Sequence, residues 1–193
     1  MMYLCSLKPN KFILSTGYKH QIIEDYFGNC FKNIPIEYCI EKEPLGTGGA
    51  IKKANNFIET ENFIVINGDT FIQLNYMDLL AFHKNEMFTM VLKSMQNPYR
   101  YGTVNLEENR ITHFNEKSPS LVTGLINTGV YVINNKIINH FPVSEKFSFE
   151  KDFLEVKSNE MIMKGYQTEG YFIDIGIPQD YKKANDEFSE LFN

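Results

Sequence analysis

The sequence predicts an α/β fold with a Rossmann-like, doubly wound mixed sheet. Short apolar runs alternate with helix-like runs through the first half of the chain, which is the order of a doubly wound sheet. A glycine-rich turn at 45–50 opens directly onto one of these helices. The second half contains successive strand-like runs with little helix between them, and the turn at 107–109 is hairpin-like. These observations together predict a sheet with both parallel and antiparallel strands.

Each element is predicted from its hydrophobic spacing and its flanking turn residues. The first half is predicted to contain strand 11–15, helix 18–27, strand 34–40, the glycine turn with a helix to residue 57, strand 63–66, helix 76–83 and strand 88–92. The second half is predicted to contain strands 101–106, 110–114 and 125–133, a helix within 146–156, strand 171–175 and a helix that Pro178 opens. Strand 63–66 is apolar throughout, so we expect both of its faces to be covered, as in a parallel sheet.

Length and composition favour one globular domain over residues 1–193, with 43% hydrophobic residues. The net charge of −5 argues against broad binding to nucleic acid or membrane surfaces. No apolar run approaches the roughly 20 residues of a membrane-spanning helix. Three cysteines without metal-ligand spacing fit a reducing compartment. We therefore expect a cytoplasmic protein with neither nucleic acid nor membrane as a partner.

Two aspartates are predicted at strand ends, where ligands bind in sheets of this class. Asp69 follows strand 63–66, and Asp174 lies within the last apolar strand. The ordinary alternatives are an Asn-Gly-Asp turn for Asp69 and an N-cap or turn before Pro178 for Asp174. Two carboxylates at the strand ends of one sheet favour a Mg²⁺ site.

The glycine turn predicts a nucleotide site. Three glycines in four residues let the backbone lie against a ligand, and the amides of the following helix N-terminus point towards it. Together with the strand end before Asp69, the predicted nucleotide-binding residues are Leu45, Gly46, Thr47, Gly48, Gly49, Asn67 and Gly68.

Six motifs occur in an order that resembles the sugar-1-phosphate nucleotidyltransferases. They are Leu45–Ala50, Asn67–Asp69, Tyr101–Val104, Glu116–Lys117, Asn127–Gly129 and Phe172–Gly176. Within that family the chain is most similar to the D-glycero-α-D-manno-heptose-1-phosphate guanylyltransferases, and next to the mannose-1-phosphate guanylyltransferases. The resemblance runs from about Lys11 to the C-terminus and implies a GT-A-like nucleotidyltransferase fold.

The resemblance also implies an activity and a set of site residues. A sugar 1-phosphate, with heptose preferred, would attack the α-phosphorus of a nucleoside triphosphate, with GTP preferred, and pyrophosphate would leave. Such products would supply capsule or lipopolysaccharide synthesis. The 45–50 turn would hold the base, Asp69 and Asp174 would hold Mg²⁺, and Lys117, as a catalytic residue, would contact the phosphate of the sugar 1-phosphate. The residues implied at the sugar are Tyr101, Gly102, Glu116, Lys117, Asn127, Thr128 and Gly129.

Ordinary structural roles remain open for several of these residues. Lys117 and Glu116 would also suit a solvated ion pair, and 127–129 would suit a simple turn. Tyr101-Gly102 would suit a bulge in an edge strand.

The N-terminus departs from the family pattern. Its members begin with a strand and a G-G-x-G-T-R-L loop, followed by a Pro-Lys pair, and residues 1–10 contain neither glycine nor arginine. We therefore expect the first βα unit to be missing, as in an N-terminally truncated chain. This polypeptide alone would then have little nucleotidyl-transfer activity. The absent central strand would leave two sheet edges exposed, so we also expect poor solubility.

Three function classes remain in play from the sequence. They are a sugar-nucleotide-forming transferase, a non-catalytic nucleotide or sugar-phosphate binder acting as a degenerate subunit, and a nucleotide-sugar-dependent glycosyltransferase. The third class expects a D-x-D at the strand end, where this chain has Asn67-Gly68-Asp69. The sequence leaves the oligomeric state open, an oligomer included.

Overall fold

A computed structural model of the chain describes residues 1–117 and 122–191. The strands are β1 Phe12–Thr16, β2 Cys30–Phe31, β3 Ile34–Ile40, β4 Asn62–Ile66, β5 Thr70–Ile72, β6 Phe88–Gln96, β7 Thr103–Glu107, β8 Arg110–Asn115, β9 Thr123–Asn134, β10 Lys164–Gln167 and β11 Phe172–Asp174. The helices are α1 His20–Phe27, α2 Gly46–Ala54, α3 Tyr76–His83, α4 Glu155–Lys157 and α5 Pro178–Leu191. A π-helical turn, Phe149–Leu154, leads into α4, and 3-10 turns lie at Met2–Leu7, Asn55–Phe57 and Asn135–His140.

The strands form a mixed α/β structure in three sheets. The largest has six strands in the order β4-β9-β6-β10-β8-β7, with β7 also pairing with β9. Only β10 and β6 run parallel in it, and its other pairings are antiparallel. A second sheet has the order β1-β3-β2, with β1 and β3 parallel, and β5 pairs with β11 in a third. The predicted mixed α/β class is confirmed, although the described strands are divided among sheets instead of forming one.

Strand β4 differs from its prediction. It pairs antiparallel with β9, and all five of its residues are half-buried. The apolar run therefore does not indicate a parallel strand that is covered on both faces. Within the described part of the chain, β4 and β1 are edge strands of their sheets.

The main core lies between the six-stranded sheet and the segment that carries the π-helical turn. Phe88 on β6 and Tyr131 on β9 are both at most 1% exposed and pack against Phe149. The rings of Phe149 and Phe153 stack with centroids 5.3 Å apart. Burial of such rings contributes a large share of the hydrophobic stabilisation, so this core fixes residues 147–154 firmly against the sheet.

The predicted glycine turn is instead the first turn of α2. The helix begins at Gly46, directly after its N-cap Leu45, and ends at Ala54. Gly46 has a φ of 74°, a conformation that glycine adopts without strain. This start places the first turn of α2 against residues 145–148.

Candidate active site

One cavity gathers most of the predicted site residues. Its volume is about 220 Å³, and its wall combines residues beside the ends of several strands, two residues within β9 and the start of the π-helical turn. The lining residues are Asn67, Asp69, Thr70, Arg100, Tyr101, Gly102, Glu116, Lys117, Asn127, Gly129, Glu150 and Asp174. Nine of these residues were predicted to bind nucleotide, metal or sugar phosphate.

The pairing of β5 with β11 brings Asp69 and Asp174 to this cavity. Asp174 lies opposite Thr70 in the antiparallel register, one residue from Asp69. The amide of Ile175 donates to the Asp69 carbonyl over 2.9 Å, which joins the two segments next to the carboxylates. The two aspartates therefore meet through a local antiparallel pair instead of the parallel strand ends assumed from the sequence.

Asp174 is held by groups that sequence reasoning missed. Its Oδ2 accepts from Arg100 Nη2 over 3.0 Å, and its Oδ1 accepts from the Gly176 amide over 2.7 Å. Arg100 Nη1 also donates to Asp180 at the start of α5, over 2.7 Å. Asp174 therefore accepts the hydrogen bond of a local turn, which is the alternative considered from the sequence. It also pairs with Arg100, which lies 74 residues away in sequence.

Loss of this cation is expected to destabilise the protein. The side chains of Arg100, Asp174 and Asp180 are only 27%, 17% and 28% exposed, so Arg100→Gln leaves two partly buried carboxylates facing each other. We expect the free energy of unfolding to fall by about 2 kcal/mol, between the values for surface and buried pairs. Urea denaturation measures it. Asp180→Asn serves as the control, because it keeps the ion pair between Arg100 and Asp174 and should lower the free energy of unfolding by less. If Arg100→Gln were as stable as the parent, the ion pairs of Arg100 would not contribute to stability.

Glu116 and Lys117, which follow β8, also line the cavity. Lys117 Nζ lies 3.8 Å from Glu116 Oε1, and the lysine side chain is 63% exposed. Burial, and next the charge of Glu150, raises the pKa of Glu116. A Cβ added at Gly102 would lie 2.5 Å from the Phe114 ring and 3.1 Å from Glu116 Oε2. Gly102 therefore lets the backbone pass close to Glu116 and gives the cavity its width.

The raised pKa of Glu116 predicts a pH dependence of stability. An acid with a higher pKa in the folded state is destabilising when ionised, so stability is lost as pH rises from the unfolded value of 4.5 through the folded pKa. Glu116→Gln removes this loss. Thermal denaturation should show the variant more stable than the parent at pH 7 and equal to it at about pH 4. Glu108→Gln, in an exposed turn, is the control; a Glu116→Gln variant that is no more stable at pH 7 would contradict the assignment.

The floor of the cavity is a network of backbone and amide groups at 127–129. Asn127 Nδ2 donates to the Tyr131 hydroxyl over 2.7 Å, and Asn127 Oδ1 accepts from the Gly129 amide over 3.0 Å. A Cβ on Gly129 would lie 2.7 Å from Asn67 Nδ2. Thr128 differs from its prediction as a substrate contact: its side chain is fully buried and donates to the Val91 carbonyl over 2.9 Å.

The first turn of α2 borders a second cavity of about 560 Å³. Gly46 and Thr47 line it with five other residues, namely Lys146, Phe147, Ser148, Glu150 and Asp152. Gly48 and Gly49 are buried behind this surface, and their amides donate to the Phe147 carbonyl over 3.1 and 3.4 Å. The predicted use of these two amides by a ligand is therefore replaced by packing against residues 145–148.

The residues present fit a magnesium ion bound together with a substrate. Among the residues described, no group of three or more His, Cys, Asp and Glu side chains is arranged to hold a metal. Asp69 and Asp174 nevertheless line one cavity, and Mg²⁺ is commonly held by one or two carboxylates plus substrate phosphates. The donor set is thus suited to a metal that arrives with a nucleotide.

The family model described as Nucleotidyl transferase matches residues 3–190. The chain belongs to the nucleotidyl transferase family. Its resemblance to heptose-1-phosphate guanylyltransferases is also confirmed. It is 47% identical to the D-glycero-alpha-D-manno-heptose 1-phosphate guanylyltransferase of Aneurinibacillus thermoaerophilus, over 96% of the chain and 81% of the relative. The enzyme of that name from Campylobacter jejuni is 42% identical, over 93% of the chain and 79% of the relative.

A solved structure agrees with this assignment. The crystal structure of HddC from Yersinia pseudotuberculosis matches with a TM-score of 0.84 and 39% identity, over 96% of this chain and 82% of that one. HddC has also been solved in complex with GMP-PN, and that structure matches with a TM-score of 0.83. The predicted nucleotidyltransferase fold is therefore confirmed. In the portion of this nucleotidyl transferase that the structure describes, no helix has the length and apolarity to cross a bilayer.

Proposed function

We propose that this nucleotidyl transferase transfers GMP from GTP to a heptose 1-phosphate, releasing pyrophosphate. The observation that carries the proposal is the 220 Å³ cavity, where two carboxylates, one lysine and several sugar-type hydrogen-bonding groups converge. The close relatives are named for this reaction, which supports the choice of base and sugar. We also propose a single domain over residues 1–193, a cytoplasmic location and a role in capsule or lipopolysaccharide precursor supply.

The proposed roles follow from charge and position. Asp69 and Asp174 would hold Mg²⁺, which when bound neutralises phosphate charge and orients the attacking oxygen. Lys117, exposed at the mouth of the cavity, would place its ammonium group at the sugar phosphate. Gly46 and Thr47 would contact the base, Asn67 and Gly68 the rest of the nucleotide. Tyr101, Glu116 and Asn127 would contact the sugar.

Positioning supplies most of the catalysis in this proposal. In phosphoryl-type transfer the protein orients the attacking and leaving oxygens and stabilises the developing charge. The β5–β11 pair and the 127–129 network fix the two ends of the cavity relative to each other before substrate binds. Arg100, held by Asp180, keeps Asp174 in place at the metal end.

A substrate panel tests the proposal. GTP, UTP, dTTP and ATP are combined with heptose, mannose and glucose 1-phosphates, and pyrophosphate release is measured. It is measured on the chain and on a reference fusion, in which a βα unit with a strand and a G-G-x-G-T-R-L loop precedes Met1. We expect GTP with heptose 1-phosphate to be the preferred pair. Binding of both compounds without turnover by either polypeptide would favour the non-catalytic binder, and preference for a nucleotide-sugar donor would favour a glycosyltransferase.

A further inference from the structure

Glu150 lies on the wall shared by the two cavities. It is the second residue of the π-helical turn Phe149–Leu154, and it lines both the 220 Å³ cavity and the 560 Å³ cavity. The burial of Phe149 and Phe153 fixes this turn in place. The side chain of Glu150 is therefore presented where a base near α2 and a sugar near Glu116 would meet.

One oxygen of Glu150 is tied down and the other is available. Oε2 accepts from the Thr47 hydroxyl over 2.7 Å and from the Ser148 hydroxyl over 3.1 Å. Thr47 Oγ1 in turn accepts from the Phe149 amide over 2.9 Å. Two hydrogen bonds therefore connect Thr47 in α2 to the π-helical turn. The described residues offer no hydrogen bond to Oε1. Glu150 is thus a positioned carboxylate with one oxygen free to accept from a ligand.

Glu150 lines the 220 Å³ cavity together with Glu116 and Lys117. The charges of Glu150 and Glu155 contribute to the raised pKa of Glu116, and those of Lys117 and Lys151 act in the opposite direction. Carboxylates accept strong hydrogen bonds from hydroxyl groups, and a lysine beside them suits the phosphate end.

We propose that Glu150 is a specificity-determining residue, whose free carboxylate oxygen accepts from hydroxyl groups of the sugar 1-phosphate and so selects the sugar. The inference rests on the proposed function, because it concerns the sugar half of that cavity. The hydrogen bond from Thr47 fixes the Glu150 carboxylate relative to α2, where the nucleotide would bind. The carboxylate would then contact the sugar hydroxyl groups while the sugar phosphate is aligned with the nucleotide.

The test compares Glu150→Gln with Thr47→Val. The first keeps the size of the side chain but removes the charge, and the second removes the tie while keeping the carboxylate. Heptose, mannose and glucose 1-phosphates are titrated by calorimetry, and kcat/KM is measured for each on the reference fusion. For Glu150→Gln we expect about a 30-fold loss for the preferred sugar, carried by KM, and a changed ratio between sugars. The dissociation constant for GTP should change by less than about twofold.

Thr47→Val separates a specificity role from a purely structural link. We expect it to weaken GTP binding and to leave the ratio between sugars unchanged. If Glu150→Gln behaves like Thr47→Val, with the ratio unchanged, the proposal is overturned. Glu150→Asp provides a second variant if Glu150→Gln does not fold, and it should also change the ratio. If the parent binds no sugar 1-phosphate at all, the proposed function itself fails; if the parent binds one and Glu150 variants keep its selectivity, only this inference fails.

Discussion

Asp174→Asn and Asp69→Asn are each expected to lower pyrophosphate release from the reference fusion by about a thousandfold. The expected loss is large because each change removes one of two carboxylates that would hold the metal, and charge stabilisation of the transferring phosphate is worth several kcal/mol. Asparagine keeps the size of the side chain and its capacity to accept one hydrogen bond. For Asp174 the Gly176 amide can therefore still be satisfied, whereas the ion pair with Arg100 is lost, so stability is measured beside turnover.

The measurement pairs turnover with binding of Mn²⁺, followed by electron paramagnetic resonance in the presence of GTP. Both aspartate variants should lose Mn²⁺ affinity together with turnover. Asp25→Asn, on the exposed face of α1, is the matched control and should change neither quantity. If both site variants turned over normally, the metal assignment would be wrong.

Gly49→Ala is expected to lower the free energy of unfolding by about 3 kcal/mol, the upper end of the range for overpacking. A Cβ on Gly49 would lie 2.2 Å from the Glu145 carbonyl oxygen and 2.8 Å from the Leu45 Cβ. The first of these contacts is with backbone, so a rotation of one side chain cannot relieve it. Alanine also forms helices more favourably than glycine, by about 1 kcal/mol. A net fall in the free energy of unfolding would therefore be due to the steric clash of the added Cβ.

Chemical denaturation measures this loss, with Gly17→Ala as its control. A Cβ on Gly17 would meet only atoms of Glu41 at 3.8 Å, an ordinary contact, so we expect a change within about 0.5 kcal/mol. GTP affinity of the Gly49 variant should fall as well, since α2 and residues 145–148 must separate. A Gly49→Ala protein as stable as the parent would show that the close packing of α2 is not required.

The local sequence pattern predicted the exact first and last residues of some elements. The strand at Ile34–Ile40 and the helix at Tyr76–His83 have the bounds that hydrophobic spacing gave, because apolar periodicity and flanking turn residues determine both. Strand β10, Lys164–Gln167, was missed. Its Gly165 is needed because a Cβ there would lie 2.6 Å from side-chain atoms of both Leu106 and Leu92, a tertiary reason that the local sequence does not contain.

Most of the residues that line the 220 Å³ cavity belong to motifs picked out in the sequence, whereas the contacts that support them could not be predicted. Arg100 immediately precedes the Tyr101-Gly102 motif, but nothing near it in sequence indicates its pairs with Asp174 and Asp180. Glu150 lies in a segment that was predicted only as a helix. The glycines of α2 were interpreted as a ligand cradle, and Gly46, Gly48 and Gly49 all lie close against residues 145–148. Glycine marks a close approach of backbone, and the sequence alone does not say whether a ligand or the protein itself makes that approach.

Phosphorus nuclear magnetic resonance of the reference fusion with GTP, heptose 1-phosphate and Mg²⁺ tests whether the cavity between Asp174 and Lys117 joins the two substrates. We expect pyrophosphate and a diphosphate-linked GDP-heptose to appear in equal amounts, and Asp174→Asn to produce neither. Formation of GDP and inorganic phosphate instead, or product formation that survives in Asp174→Asn, would rule out the proposed reaction at this site.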